Sequence, residues 1–157
     1  MSATSFLSNE GPWQTLAARI KAARHVDAAI AYFGQGGAKL LPLGKGDRLV
    51  VDMSSPTVRA GGTDPREIEK LIRRRVDVFT RRNLHAKVVV ADRCVITGSA
   101  NVSKHSQEVL DEAAILTEEQ AAKYSFDLKA ILAAAKRRQR RSRHKVVSFA
   151  PKKGLSA

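Results

Sequence analysis

Two apolar runs, LHAKVVVA from Leu84 and CVITG from Cys94, are separated only by Asp92 and Arg93, and this spacing constrains the fold more than any other feature of the chain. Short runs rich in valine and isoleucine read as strands, and a two-residue break between them leaves room for a tight turn and nothing else. An antiparallel hairpin is expected. Its first strand carries His85 and Lys87 among aliphatic neighbours, and its second runs directly into Gly98, Ser99, Ala100 and Asn101.

The rest of the chain supplies partners for that hairpin. Between Trp13 and Arg24, Leu16, Ala17, Ile20 and Ala23 recur at helical spacing, which predicts an amphipathic helix. DAAIAYF, from Asp27, reads as a buried strand, followed by a loop at GQGG and a short helix through Leu41. Arg48 to Met53 is a second strand of the same kind. After a Pro- and Gly-containing loop, Asp64 is an N-cap, Pro65 the first helical residue and Glu67 the partner of a capping box, for a helix to about Arg75. VDVFT from Val76 and Glu112 to Leu116 are further strands, and a helix is expected from Thr117 or Glu118 through about Ala135. Alternation early and neighbouring strands late imply an α/β fold, a mixed β-sheet flanked by helices on both faces.

Residues 1–135 read as a single domain and 136–157 as a basic C-terminal tail. The net charge of +13 is concentrated there: the tail holds nine Lys or Arg and no acid, leaving 19 basic against 15 acidic residues elsewhere. Such a surplus attracts polyanions, nucleic acid first and anionic membrane surfaces less specifically. Lys136, Arg137, Arg138, Arg140, Arg141, Arg143 and Lys145 are expected to contact phosphates without reading sequence; the alternative is a solvated helix end or an arm with no role. No apolar stretch approaches the roughly 20 residues that span a bilayer. Without a secretory signal at MSATSFLSNE, the expected location is the cytoplasm, with no stable membrane association. The single cysteine, Cys94, excludes an internal disulfide and reads as a small buried hydrophobe.

On a regular strand His85 and Lys87 share one face, about 7 Å apart. Charge on a buried strand is costly unless it is partnered, so these residues mark either a site or the solvated face of an edge strand. Pairing of the two strands brings Ser99 and Asn101 toward them. Histidine can be nucleophile or proton shuttle, lysine a fixed positive charge, and serine and asparagine donors to non-bridging oxygens, which together describe a phosphate site. Neither GQGG at 34–37 nor Gly44-Lys45 completes a nucleotide-binding motif. His25, His105 and His144 read as solvated, and no cluster of side chains has metal-ligand spacing.

The string H-A-K-V-V-V-A-D followed by G-S-A-N resembles the HKD motif of the phospholipase D superfamily, H-x-K-x4-D and then G-S-x-N, and the chain resembles the small single-motif bacterial endonucleases. Five residues separate Asp92 from Gly98 where the family often has six, which fits a shortened turn. The resemblance implies a phospholipase D/nuclease-like sandwich with catalytic residues His85, Lys87, Ser99, Asn101 and Glu112. Asp92 and Gly98 complete the motif, and Asp92, five residues after Lys87 and so on the opposite face of a regular strand, is expected to have a structural role. In the small nucleases of the family a glutamate at the spacing of Glu112 hydrogen-bonds the catalytic histidine; read from the residues alone, Glu112 is a solvated strand start.

The implied activity is that of a metal-independent phosphodiesterase, an endonuclease acting through a phosphohistidine and needing no cofactor. One motif per chain implies a homodimer with a shared active site. Two other readings stay open: a non-catalytic nucleic-acid-binding module of the same fold, and a phospholipase acting on anionic lipids.

Overall fold

The computed structural model describes residues 4–8 and 11–118 together with residues 130 and 133. The expected helix through Ala135 falls almost wholly outside the described residues, and the basic tail from Lys136 lies outside them entirely. Among the described residues the strands are β1 (Thr4–Ser8), β2 (Val26–Ile30), β3 (Arg48–Val51), β4 (Asp77–Thr80), β5 (Lys87–Ala91), β6 (Cys94–Gly98) and β7 (Ala113–Thr117). The helices are α1 (Gly11–Ala22), α2 (Gly37–Leu40), α3 (Ser55–Arg59), α4 (Pro65–Arg73) and α5 (Lys104–Glu108). No helix among these residues is long and apolar enough to cross a membrane.

The strands form one mixed sheet in the order β1-β7-β6-β5-β2-β3-β4. The β2-β3 and β3-β4 pairs are parallel, and the others are antiparallel. The expected α/β class is therefore the observed one. The hairpin pairs Ala91 with Cys94 and Val88 with Thr97 around the two-residue turn, where Asp92 takes a left-handed φ of 50°.

Alternation along the central strands sorts their side chains between two apolar clusters. On one face Ala28, Ile30, Leu49, Val51, Val89 and Ile96 meet Trp13, Leu16 and Ile20 of α1 and Ile68 and Leu71 of α4. Each large side chain buried there contributes about 1.5–3 kcal/mol. Cys94 belongs to this cluster, and burial pushes its thiol pKa up. Ala29, Val50, Val90 and Val95 form the second cluster with Leu84, and no described helix contributes to it.

Side chains at the loops differ from the sequence expectation in instructive ways. Asp64 caps α4 by accepting from the Arg66 N–H, but Glu67 does not complete a capping box. Its carboxylate is buried and drawn the other way, accepting from the Ala38 N–H at 3.0 Å and from Lys70 at 2.6 Å. His25 is not merely solvated: its Nε2 lies 2.8 Å from buried Asp27, which also holds Arg48. Two five-residue helices, α3 and α5, and the N-terminal strand β1 occupy stretches that showed no periodicity.

Among the described residues, four carboxylates titrate below their ordinary range. Arg66 lowers Asp64, and the Arg24 N–H, with that of His25, lowers Asp92. Burial pushes Asp52 and Glu67 up, but hydrogen bonds outweigh it, chiefly from Ser54 and Asn83 to Asp52 and from Lys70 and Ala38 to Glu67. A carboxylate lowered in the folded state favours folding above its unfolded pKa, and that contribution is lost as pH falls through the folded value. The melting temperature should therefore vary little from pH 7 to about 5 and fall below about pH 4, where unfolded carboxylates titrate. Circular-dichroism melts across this range check it; a midpoint unchanged at pH 3 would contradict the pairing.

Candidate active site

Three neighbouring strands deliver the motif to one end of the sheet. β5 enters there after His85, β6 leaves there into Ser99 and Asn101, and β7 enters there after Glu112. Lys87 pairs with Ile30 of β2, and its backbone carbonyl accepts from the Thr97 hydroxyl at 3.2 Å. The half-buried stem of Lys87 lines a mainly apolar pocket with Trp13, Leu16, Val89 and Ala100. A lysine can bury its stem in this way while its ammonium stays in a polar setting. Nζ lies 3.5 Å from His85 Nε2, so the two groups meet.

His85 itself precedes the regular part of β5. The strand is expected to start at Leu84, but the chain from Arg81 to Asn83 turns, with Asn83 at a φ of 62°. Buried Asp52 holds that turn, accepting from the Asn83 N–H at 2.9 Å and the Ser54 N–H at 2.8 Å. The imidazole is left exposed on a pinned loop, and the Tyr32 ring meets it edge-on with centroids 6.4 Å apart. Sequence reasoning missed both Asp52 and Tyr32. Tyr32 had one signal, a polar-tipped aromatic closing the apolar run DAAIAYF.

Glu112 is buried at 8% exposure rather than solvated, but it does not hydrogen-bond His85. One carboxylate oxygen accepts from the Ser99 hydroxyl and the other from the Ser106 hydroxyl, the latter at 2.5 Å. Sheet order explains the difference. β6 lies between β7 and β5, and β7 is registered with Ala114 opposite Gly98, which sets Glu112 against Ser99 and one strand away from the histidine. Ser99 thus gives its one hydroxyl proton to Glu112 while accepting from the Ala113 N–H at 3.2 Å. In this arrangement its hydroxyl positions the carboxylate and is not a free donor to a phosphate. Ser106 escaped notice because its helix, α5, is too short to show a period.

Asn101 keeps its binding capacity. Its side chain makes no hydrogen bond to a described residue, and its buried Oδ1 has no partner. Asp92 stands at the opposite end of the hairpin, where its carboxylate accepts from the Arg24 and His25 N–H groups at 3.0 and 3.2 Å. These bonds tie the hairpin turn to the chain that leads into β2. Gly98 is required by close approach: a Cβ there would lie 2.2 Å from the Ala113 carbonyl oxygen. Among the described residues no group of three or more His, Cys, Asp or Glu side chains is placed to hold a metal ion.

The family model described as cardiolipin synthase, PLD-like domain, matches residues 44–137, more than half of the chain. No curated protein matches the sequence. Among solved structures, NucT from Helicobacter pylori is similar at 18% identity and a TM-score of 0.66, over 85% of this chain and 97% of that one. Nuc from Salmonella typhimurium, a phospholipase D family member, is similar at 18% identity and a TM-score of 0.65, over 83% and 93%. The archaeal chromatin protein TrmBL2 is similar at 8% identity and a TM-score of 0.56, over 84% of this chain and 53% of its own. At these identities the likeness is one of fold.

Proposed function

The chain belongs to the family of phospholipase D-like domains, and from that premise we propose that it is a metal-independent nuclease acting through a phosphohistidine. The observation that carries the reading is the 3.5 Å approach of Lys87 Nζ to His85 Nε2. An anionic oxygen held by that ammonium stands beside the nitrogen that must attack phosphorus. In the first step Nε2 forms a P–N bond, the P–O bond to the leaving strand breaks, and the leaving oxygen takes a proton from a second histidine. Water then attacks phosphorus, gives its proton to that second histidine, and the P–N bond breaks to restore His85. Lys87 and Asn101 hold the non-bridging oxygens in both steps.

The second histidine comes from a second copy of the chain, because one chain carries a single motif. Exposure of His85 leaves it open to such a partner. Two observations favour nucleic acid as substrate: the net charge of +13, concentrated in the basic tail, and the similarity to TrmBL2, whose structure is described by its mode of DNA binding. NucT and Nuc, whose fold this chain shares, are matched over 97% and 93% of their own length. A lipid substrate is the second reading, favoured by the apolar pocket that Trp13 and Leu16 form beside Lys87.

The test is a substrate panel in excess chelator: labelled single- and double-stranded DNA, RNA and a phosphatidyl lipid. Cleavage of a nucleic acid, undiminished by chelator, is the expected outcome. Activity that vanishes with chelator and returns with magnesium overturns the mechanism. Hydrolysis of the lipid alone transfers the site to the second reading, and binding of nucleic acid without turnover marks a non-catalytic module.

A further inference from the structure

Beside the histidine lies a pocket that the motif does not explain. Tyr32, Gly61 and Gly62 of the α3-α4 loop, Asn101, Ser103 and His105 are among the residues that line it. None of its lining side chains is aliphatic and none is a carboxylate; apart from the His105 imidazole none is a basic group. An acyl chain would find no aliphatic side chain there, and a phosphate would find no Lys or Arg. What the walls do offer is one aromatic ring, exposed backbone and several neutral hydrogen-bonding groups.

We infer that this pocket receives the nucleobase next to the scissile phosphate of a single strand, with Tyr32 as the stacking surface and His105 on the base edge. The inference rests on the nuclease reading above and deepens it. Tyr32 is the shared wall, since its ring both lines the pocket and meets His85 at 6.4 Å. A nucleoside resting there has its own phosphate at the histidine. Every base presents a π-face and at least one N–H donor, so the pocket favours a base over no base without selecting among sequences.

The experiment compares two single-stranded oligonucleotides of equal length and charge, one carrying bases and one abasic throughout. For the wild-type protein, kcat/KM should favour the base-bearing strand by about 5- to 150-fold, the factor that stacking one base on an aromatic ring supplies. In Tyr32→Leu that preference should fall toward one, and Tyr32→Phe should restore it. His105→Ala, an exposed position on α5, should lower the preference in part and decides the matter if Tyr32→Leu fails to fold. Equal cleavage of both strands by the wild type, or an unchanged preference in a folded Tyr32→Leu or in His105→Ala, overturns the subsite but leaves the nuclease reading standing. Lipid hydrolysis with neither strand cut overturns both.

Discussion

His85→Ala is expected to abolish cleavage, with a loss of at least the roughly 10²–10⁴-fold that general acid-base catalysis alone provides. The deficit should be larger, because the same substitution also removes the nucleophile. How the loss propagates through a mixed population then tests the composite site. Suppose wild-type and His85→Ala chains are unfolded together, refolded as a random mixture and assayed at constant total protein. If one site is built from two chains, every mixed dimer lacks a histidine, and activity should fall as the square of the wild-type fraction. A linear fall, with refolding and mixing confirmed separately, would show that each chain carries a complete site.

Gly98→Ala should produce the largest structural defect among single changes in the motif. The new Cβ would sit 2.2 Å from the Ala113 carbonyl oxygen and 2.9 Å from the Ala114 Cα. Both are backbone atoms of the paired strand, so no side chain can rotate away, and the β6-β7 ladder must open instead. Overpacking of this kind typically costs about 1–3 kcal/mol, read as a lower urea midpoint with a similar slope. Ser99 and Glu112 flank the contact, so activity should fall as well. A midpoint equal to that of the wild type would mean that β6 and β7 do not approach so closely.

Local chemistry made some of this architecture readable in advance. Asp92 and Arg93 leave no alternative to a tight turn, and Asp64 followed by Pro65 marks the start of α4 because an acceptor side chain and a residue without an N–H both suit a helix entry. The approach of His85 to Lys87 was expected from strand alternation, but it is reached from a loop residue that precedes β5. Other features depend on partners distant in sequence. Nothing near Glu112 reveals that it faces Ser99 and Ser106, because that depends on which strands lie side by side. Glu67 has the spacing of a capping box, yet α2 brings the Ala38 N–H within reach and draws the carboxylate there. His85 was expected inside a strand, and only the contact between Asp52 and Asn83 shows why it sits on a loop instead. Helices as short as α3 and α5 complete too few turns for apolar periodicity to register.

The pairing of β1 with β7 joins Thr4–Ser8 to Ala113–Thr117, almost the full described length of the chain apart. During synthesis the first strand therefore emerges long before its partner exists. At about 5–20 residues per second the intervening chain takes on the order of 5–20 s to make, and throughout that interval the segment bearing Phe6 has no neighbour in the sheet. Completion of the sheet is thus timed by the arrival of β7, which is preceded by Glu112 and by every other motif residue that the site requires.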